Sequence, residues 1–164
     1  MQTLPAPAKT AAREYLSFAL GREDYAIDIL QVREIRGHVD ITRLADMPAA
    51  LLGVTRLRGD MIPVVDLRRT LGLPPGGLGL HNVVIMVSLE RQLVGLVVDD
   101  VSDVLSLSSE QIRPATALGL PNIEHCLHGL ASLDGGMLRL LDVERLLDRQ
   151  ELLPGPGGRP LSCH

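Results

Sequence analysis

Between residues 15 and 35 the chain reads YLSFALGREDYAIDILQVREI, an alternation of apolar and polar positions broken once by a Gly-Arg turn. A period of two over strand-length runs predicts half-buried β-strands, and the break predicts a hairpin followed by a third strand. A second hairpin follows in GVTRLRGDMIPVVDLRRTL (53–71), turning at Gly59-Asp60 and running into a short helix-like stretch. The same pattern then returns. VIMVSLERQLVGLVVDDVSDV (84–104) lies over residues 15–35 at an offset of 69, with nine apolar positions coinciding. GLASLDGGMLRLLDVERLL (129–147) lies over 53–71 at an offset of 76, where Gly53, Leu57, Gly59, Met61, Asp66, Arg69 and Leu71 meet their own residue type.

Two copies of one β unit are therefore expected. Each spans about 70 residues, a size at which a single core is marginal, so the copies should pack on one another. The Pro/Gly-rich loop 72–81 divides subdomain 1, about 14–72, from subdomain 2, about 82–150. Residues 1–13 and the tail 151–164 are expected to be flexible, since neither carries the apolar content of a core.

Asp66 and Asp142 occupy matched positions, which raises the idea of a shared-proton pair in an aspartate-dependent hydrolase. Each, however, closes an apolar strand and precedes LRRTL or VERLL, the placement of a helix N-cap, and neither is followed by the Thr/Ser-Gly of an aspartic protease. Capping is the expectation. The run EHCLH (124–128) offers His125, Cys126 and His128 but no fourth ligand at tetrahedral spacing, so a solvated loop is expected rather than zinc. The glycines of PPGGLGL match no phosphate-binding fingerprint, and Gly-x-Ser-x-Gly is absent. No enzyme motif and no cofactor site emerge.

Differences between the copies are more informative. Arg56, Arg58 and Pro63 stand where the second copy has Ser132, Asp134 and Arg139, so the hairpin does not require them. On a continuous strand Arg56 and Arg58 would project from one face, and Pro63 would confine its strand to an edge or a bulge.

Composition narrows the class further. The chain is 46% apolar with only two Tyr and one Phe, so its core must be built from Val, Leu and Ile. Twenty acids against sixteen bases, with no long block of either sign, exclude a nucleic-acid track. No stretch has the length of a membrane span or the core of a secretory signal, so a cytoplasmic protein without direct membrane insertion is expected. Two cysteines, one in the tail, do not suggest a structural disulfide.

The runs YAIDILQVREIRG (25–37), GVTRLRGDMIPVVDLR (53–68), GLVVDDVSDVLSLSSEQIRP (95–114) and GLASLDGGMLRLLDVERLL together resemble the CheW family of bacterial chemotaxis coupling proteins. The resemblance covers about residues 14–150 and departs from the family's Asn-Leu-Arg-Gly hairpin pattern at Arg56. It implies two intertwined five-stranded SH3-like β-barrels with short helices, and no catalysis. It implies an adaptor that ties the cytoplasmic tips of chemoreceptor helical hairpins to the regulatory domain of the CheA histidine kinase, in membrane-associated arrays where further CheW copies can join the rings. The same adaptor could instead serve pilus motility or second-messenger control. Carried over by position, the resemblance assigns the receptor groove to Leu16, Ile29, Val32 and Val101, the receptor and kinase contact to Glu34, Arg58 and Gly59, and the ring contact to Arg113 and Leu118.

Overall fold

The computed structural model describes residues 12–48, 50–73, 82–90, 92–115, 126–133 and 136–149. The first copy forms β1 (Ala12–Leu20), β2 (Glu23–Asp28), β3 (Val32–Arg36), β4 (Leu51–Leu57), β5 (Asp60–Asp66) and the one-turn helix α1 (Leu67–Thr70). The second forms β6 (Val83–Ser88), β7 (Leu93–Val98), β8 (Asp100–Ser108), the short β9 (Ile112–Arg113), β10 (Leu127–Leu133), β11 (Gly136–Leu141) and α2 (Val143–Arg149). The molecule is mainly β, as the alternation predicts.

The sheets do not follow the repeat. One has the strand order β8-β1-β2-β11-β10-β9 and the other β3-β6-β7-β5-β4, so each copy places its first hairpin in the sheet built by the other copy. Under the repeat correspondence the two orders are identical, apart from β9. Even that strand has a counterpart, because Thr42 bridges Val54 as Arg113 pairs with Leu130. Linker length explains the exchange. One residue, Asp99, separates β7 from β8, and the tightest common hairpin needs two, so β8 cannot fold back beside β7 and continues into the other sheet. The β2–β3 link is a 3-10 turn, Ile29–Gln31, which advances the chain instead of reversing it.

Asp99 also locks this crossover. Its backbone N–H donates to Ala19 O at 3.1 Å, and its carboxylate accepts the Gly21 N–H at 2.6 Å and a two-pronged contact from Arg68 of α1. Arg68 holds the Asp99 carboxyl below the ordinary carboxylate range, and the Gly21 N–H adds to this against partial burial.

Among the described residues, three apolar clusters fill the structure. Leu57, Ile62, Val64, Val84 and Met86 belong to the five-stranded sheet alone; Tyr15, Ala26, Leu107, Leu138 and Leu140 belong to the six-stranded sheet. The largest cluster draws on both sheets through Phe18, Tyr25, Ile85, Leu96, Leu67 and Leu147, and it joins the barrels. Phe18 and Tyr25 stack within it at 6.2 Å between ring centroids.

The matched glycines and aspartates now have reasons. Gly53 and Gly129 sit at equivalent register shifts, where a Cβ would lie 2.3 Å from Thr42 O and 2.7 Å from Arg113 O. Asp66 and Asp142 are helix caps, accepting the N–H of Arg68 and of Arg145, each at 3.1 Å.

Two expectations about the arginine hairpin are corrected. β4 ends at Leu57, and Arg58 and Gly59 form the turn with φ of 51° and 89°, so Arg58 does not share a strand face with Arg56. Both positive angles mark the hairpin turn that matches strand twist, one that ordinarily takes Asn-Gly. Nor is β5 an edge strand, because it lies between β7 and β4. Proline is tolerated there because Val54, opposite Pro63, commits its own N–H and C=O to Thr42, leaving a non-hydrogen-bonded pair. The N–H that Pro63 lacks would point toward β7, whose ladder with β5 begins only at Val64.

Candidate functional site

The turn between β2 and β3 is built by Asp28, whose carboxylate accepts the Leu30 N–H at 2.9 Å and caps the 3-10 turn. This geometry tips Leu30 outward until it is 87% exposed, the most exposed of the large apolar side chains described. Ile29 and Val32 beside it are half-buried and rest on the shared core, as does Val101 at the start of β8. Of the four expected groove residues, Leu16 is the exception. It is 3% exposed, because β1 is flanked by β2 and β8 and is covered on both faces from Tyr15 to Phe18. It can back an apolar surface but cannot present one.

Leu30 is absent from the sequence-based assignment, although a signal was there. Its repeat-mate is Asp99, so an apolar residue occupies a turn position where the other copy has a clamped carboxylate. Most of the other exposed apolar residues come in matched pairs, Ile35 with Val104 and Met61 with Met137.

Along β3 the surface becomes charged. Glu34 accepts from Arg36 Nε at 2.8 Å through one oxygen and from Arg58 Nη1 at 3.0 Å through the other. The Arg36 hydrogen bond is the main reason its carboxyl lies below the ordinary range, with Arg58 adding to it against partial desolvation. The family resemblance sets Glu34 and Arg58 in one contact; the third member, Arg36, is a further finding. Arg58 itself is 74% exposed, so the contact leaves most of its guanidinium open to solvent. Gly59 completes the turn with nothing within 4 Å of the position a Cβ would take.

Beside this cluster a cavity of about 290 Å³ opens between β4 and the segment after β3. Arg36, His38, Thr42, Thr55 and Arg56 line it, with Val39, Leu57 and Met86 as apolar floor and Asp40 at the rim beside His38. Arg113, assigned to the ring contact, is exposed on β9 at the end of the six-stranded sheet; Leu118 lies outside the described residues.

Among the described residues the other candidates do not assemble into a reactive centre. Asp66 pairs with Arg69 at 3.6 Å, and Asp142 pairs with Arg145 at 3.7 Å and His128 at 3.6 Å; among the described residues there is no hydrogen bond between the two carboxylates. The solvated-loop expectation for residues 124–128 is corrected in part. Cys126 is 3% exposed and packs in the shared core, Leu127 begins β10, and His128 is exposed, while His125 lies outside the described residues. Among the described residues no helix is long and apolar enough to cross a membrane.

Comparison with known proteins agrees with this architecture. The family model described as CheW-like domain matches residues 14–151. The chain is 44% identical over 144 residues to the chemotaxis protein CheW of Klebsiella aerogenes, covering 88% of this chain and 87% of that one. It is 34% identical to a probable chemotaxis protein CheW of Rhizobium etli, with 85% and 90% covered. Among solved structures, the scaffolding protein TtCheW of Thermoanaerobacter tengcongensis superposes with a TM-score of 0.73 at 30% identity, over 79% of this chain and 88% of that one. With two SH3-like sheets that exchange their hairpins and a family match from residue 14 to 151, this chain belongs to the CheW family of chemotaxis adaptor proteins.

Proposed function

We propose that the protein couples the cytoplasmic tip of a chemoreceptor helical hairpin to the regulatory domain of the CheA kinase, and that these contacts recruit it to membrane-associated arrays. The observation that carries this reading is Leu30: an 87% exposed leucine held outward by its own cap, bordered by half-buried Ile29 and Val32 and followed along β3 by the Glu34–Arg58 pair. An amphipathic helix recognises such a surface, with an apolar stripe on the aliphatic row and polar residues over the charged end. Arg58 and Gly59 then serve both receptor and kinase contacts, Arg113 joins the ring contact, and the assigned Leu118 belongs to that same contact.

The test uses a receptor cytoplasmic fragment and the kinase regulatory domain with purified protein. Leu30→Asp places a charge on an already solvated position, so its thermal transition should stay within about 0.5 kcal/mol of the parent. Receptor binding should fall by more than about tenfold, because the carboxylate would be buried without a partner. Val32→Asp should weaken binding too, but it rests on the core and will also lower the melting temperature. Unchanged receptor affinity in folded Leu30→Asp removes the surface from the reading.

A further inference from the structure

The cavity beside the Glu34 cluster has features that the aliphatic surface does not account for. Arg56 makes no ion pair or hydrogen bond among the described residues, whereas Arg36 and Arg58 are both engaged by Glu34. Thr55 lines the same cavity, and its hydroxyl, which has no partner among the described residues, is open to the cavity and is not one of the buried polar atoms left without a partner. A hydroxyl open to a cavity and not bonded within the protein is available to a ligand. The volume, about 290 Å³, is at the small end of ligand sites. A guanidinium fork with a hydroxyl over an apolar floor suits a compact planar anion, and a carboxylate matches the fork with two parallel bonds.

Position then argues for the source of the carboxylate. β3 runs from Val32 beside Leu30 to Arg36 on the cavity wall, roughly 13 Å at strand rise, or about two to three turns of a helix lying alongside. We infer that this cavity seats an acidic side chain of the docked receptor helix, about seven to eleven residues from the one that covers Leu30, with Arg56 as the residue that selects for it. The inference rests on the receptor-docking reading and deepens it: the second copy has Ser132 at the matched position, so the site belongs to one barrel only.

The experiment measures affinity for the receptor fragment across a salt series with the parent protein, Arg56→Asn, Thr55→Val and, as a distant charge control, Arg22→Asn. Thermal melts confirm folding, and Thr55→Val is close to isosteric at a buried strand position. Arg56→Asn should weaken binding about five- to tenfold at low salt and flatten the salt dependence, Thr55→Val should weaken it at all salts, and Arg22→Asn should do neither. An acid-to-amide scan of the receptor helix should find one position whose loss equals that of Arg56→Asn and adds nothing to it. Binding of both cavity variants at parental affinity, or a scan without such a coupled acid, overturns the inference. Inorganic phosphate bound by the free protein and lost in Arg56→Asn, with no coupled acid, overturns it in favour of a free anion. Failure of the parent protein to bind the fragment overturns the docking reading instead, a distinguishable result.

Discussion

Replacing Arg58 by Asn should make this protein more stable and less functional at once. Arg58 sits at φ 51°, in the left-handed region, as the first residue of a two-residue hairpin turn completed by Gly59. Standing there costs an ordinary side chain about 1–2 kcal/mol. Asn is several-fold enriched in that region and is the favoured partner of Gly in this turn, and several-fold corresponds to about 0.6–1 kcal/mol. What Asn gives up is the contact from Nη1 to Glu34 Oε1, but the arginine is 74% exposed and Glu34 keeps Arg36. Loss of a solvated pair costs little. The balance favours the variant by about 0.5 kcal/mol or slightly more, a rise of about 1–3 °C in a domain of this size. A thermal melt and a urea titration read the first effect, and kinase autophosphorylation in a receptor, kinase and adaptor mixture reads the second. Receptor control should be lost, since the shorter asparagine side chain could not reach a partner with a fork of donors. A lower melting temperature would refute the strain argument, and full receptor control by the stabilised variant would refute the contact role.

The remaining expectations concern the scaffold. Gly129→Ala, with its Cβ 2.7 Å from both Arg113 O and Ile112 Cγ2, and Gly53→Ala, 2.3 Å from Thr42 O, should each cost about 2–3 kcal/mol in urea unfolding, because backbone oxygen cannot yield as a flexible side chain would. Asp99→Asn should cost about 1–2 kcal/mol at neutral pH, a figure reduced for partial exposure of the pair. The folded-state value of Asp99 is depressed, so its contribution is complete above the unfolded value near 4 and is lost as pH falls through the folded one. Stability of the parent protein should therefore drop on acidification below about pH 4, and the acid limb of Asp99→Asn should be shallower; parallel limbs would show that Asp99 is not a source of the acid sensitivity.

Much of this was legible without coordinates, because it is local. Alternation named the strands, the duplicated Asp66/Asp142 marked a helix cap, and the family resemblance placed Glu34 and Arg58 in one contact; the matched Gly53/Gly129 were visible as a repeat, but the close backbone approach that requires them was not. Burial was less legible. Leu16 and Leu30 are both leucines in an alternating run, yet one is 3% and the other 87% exposed, since the outcome depends on which strands flank β1 and on a cap that tips one turn outward. Cys126 reads as part of a polar run and lies in the core for the same kind of reason.

By itself, then, the sequence determined the kinds of elements, which follow from spacing within a few residues, a doubled β unit, which follows from the same pattern returning at offsets of 69 and 76, and, through the resemblance of its motifs, the family. Only the tertiary structure decided which hairpins the intertwined units trade, that Pro63 lies in an interior strand, that Arg58 occupies a turn and that Thr55 and Arg56 line one cavity. The two copies offer hairpins of nearly the same pattern, so periodicity cannot choose between pairing at home and pairing across. That choice falls to the single residue between β7 and β8, too short to reverse the chain, and to the core cluster that both sheets must close together.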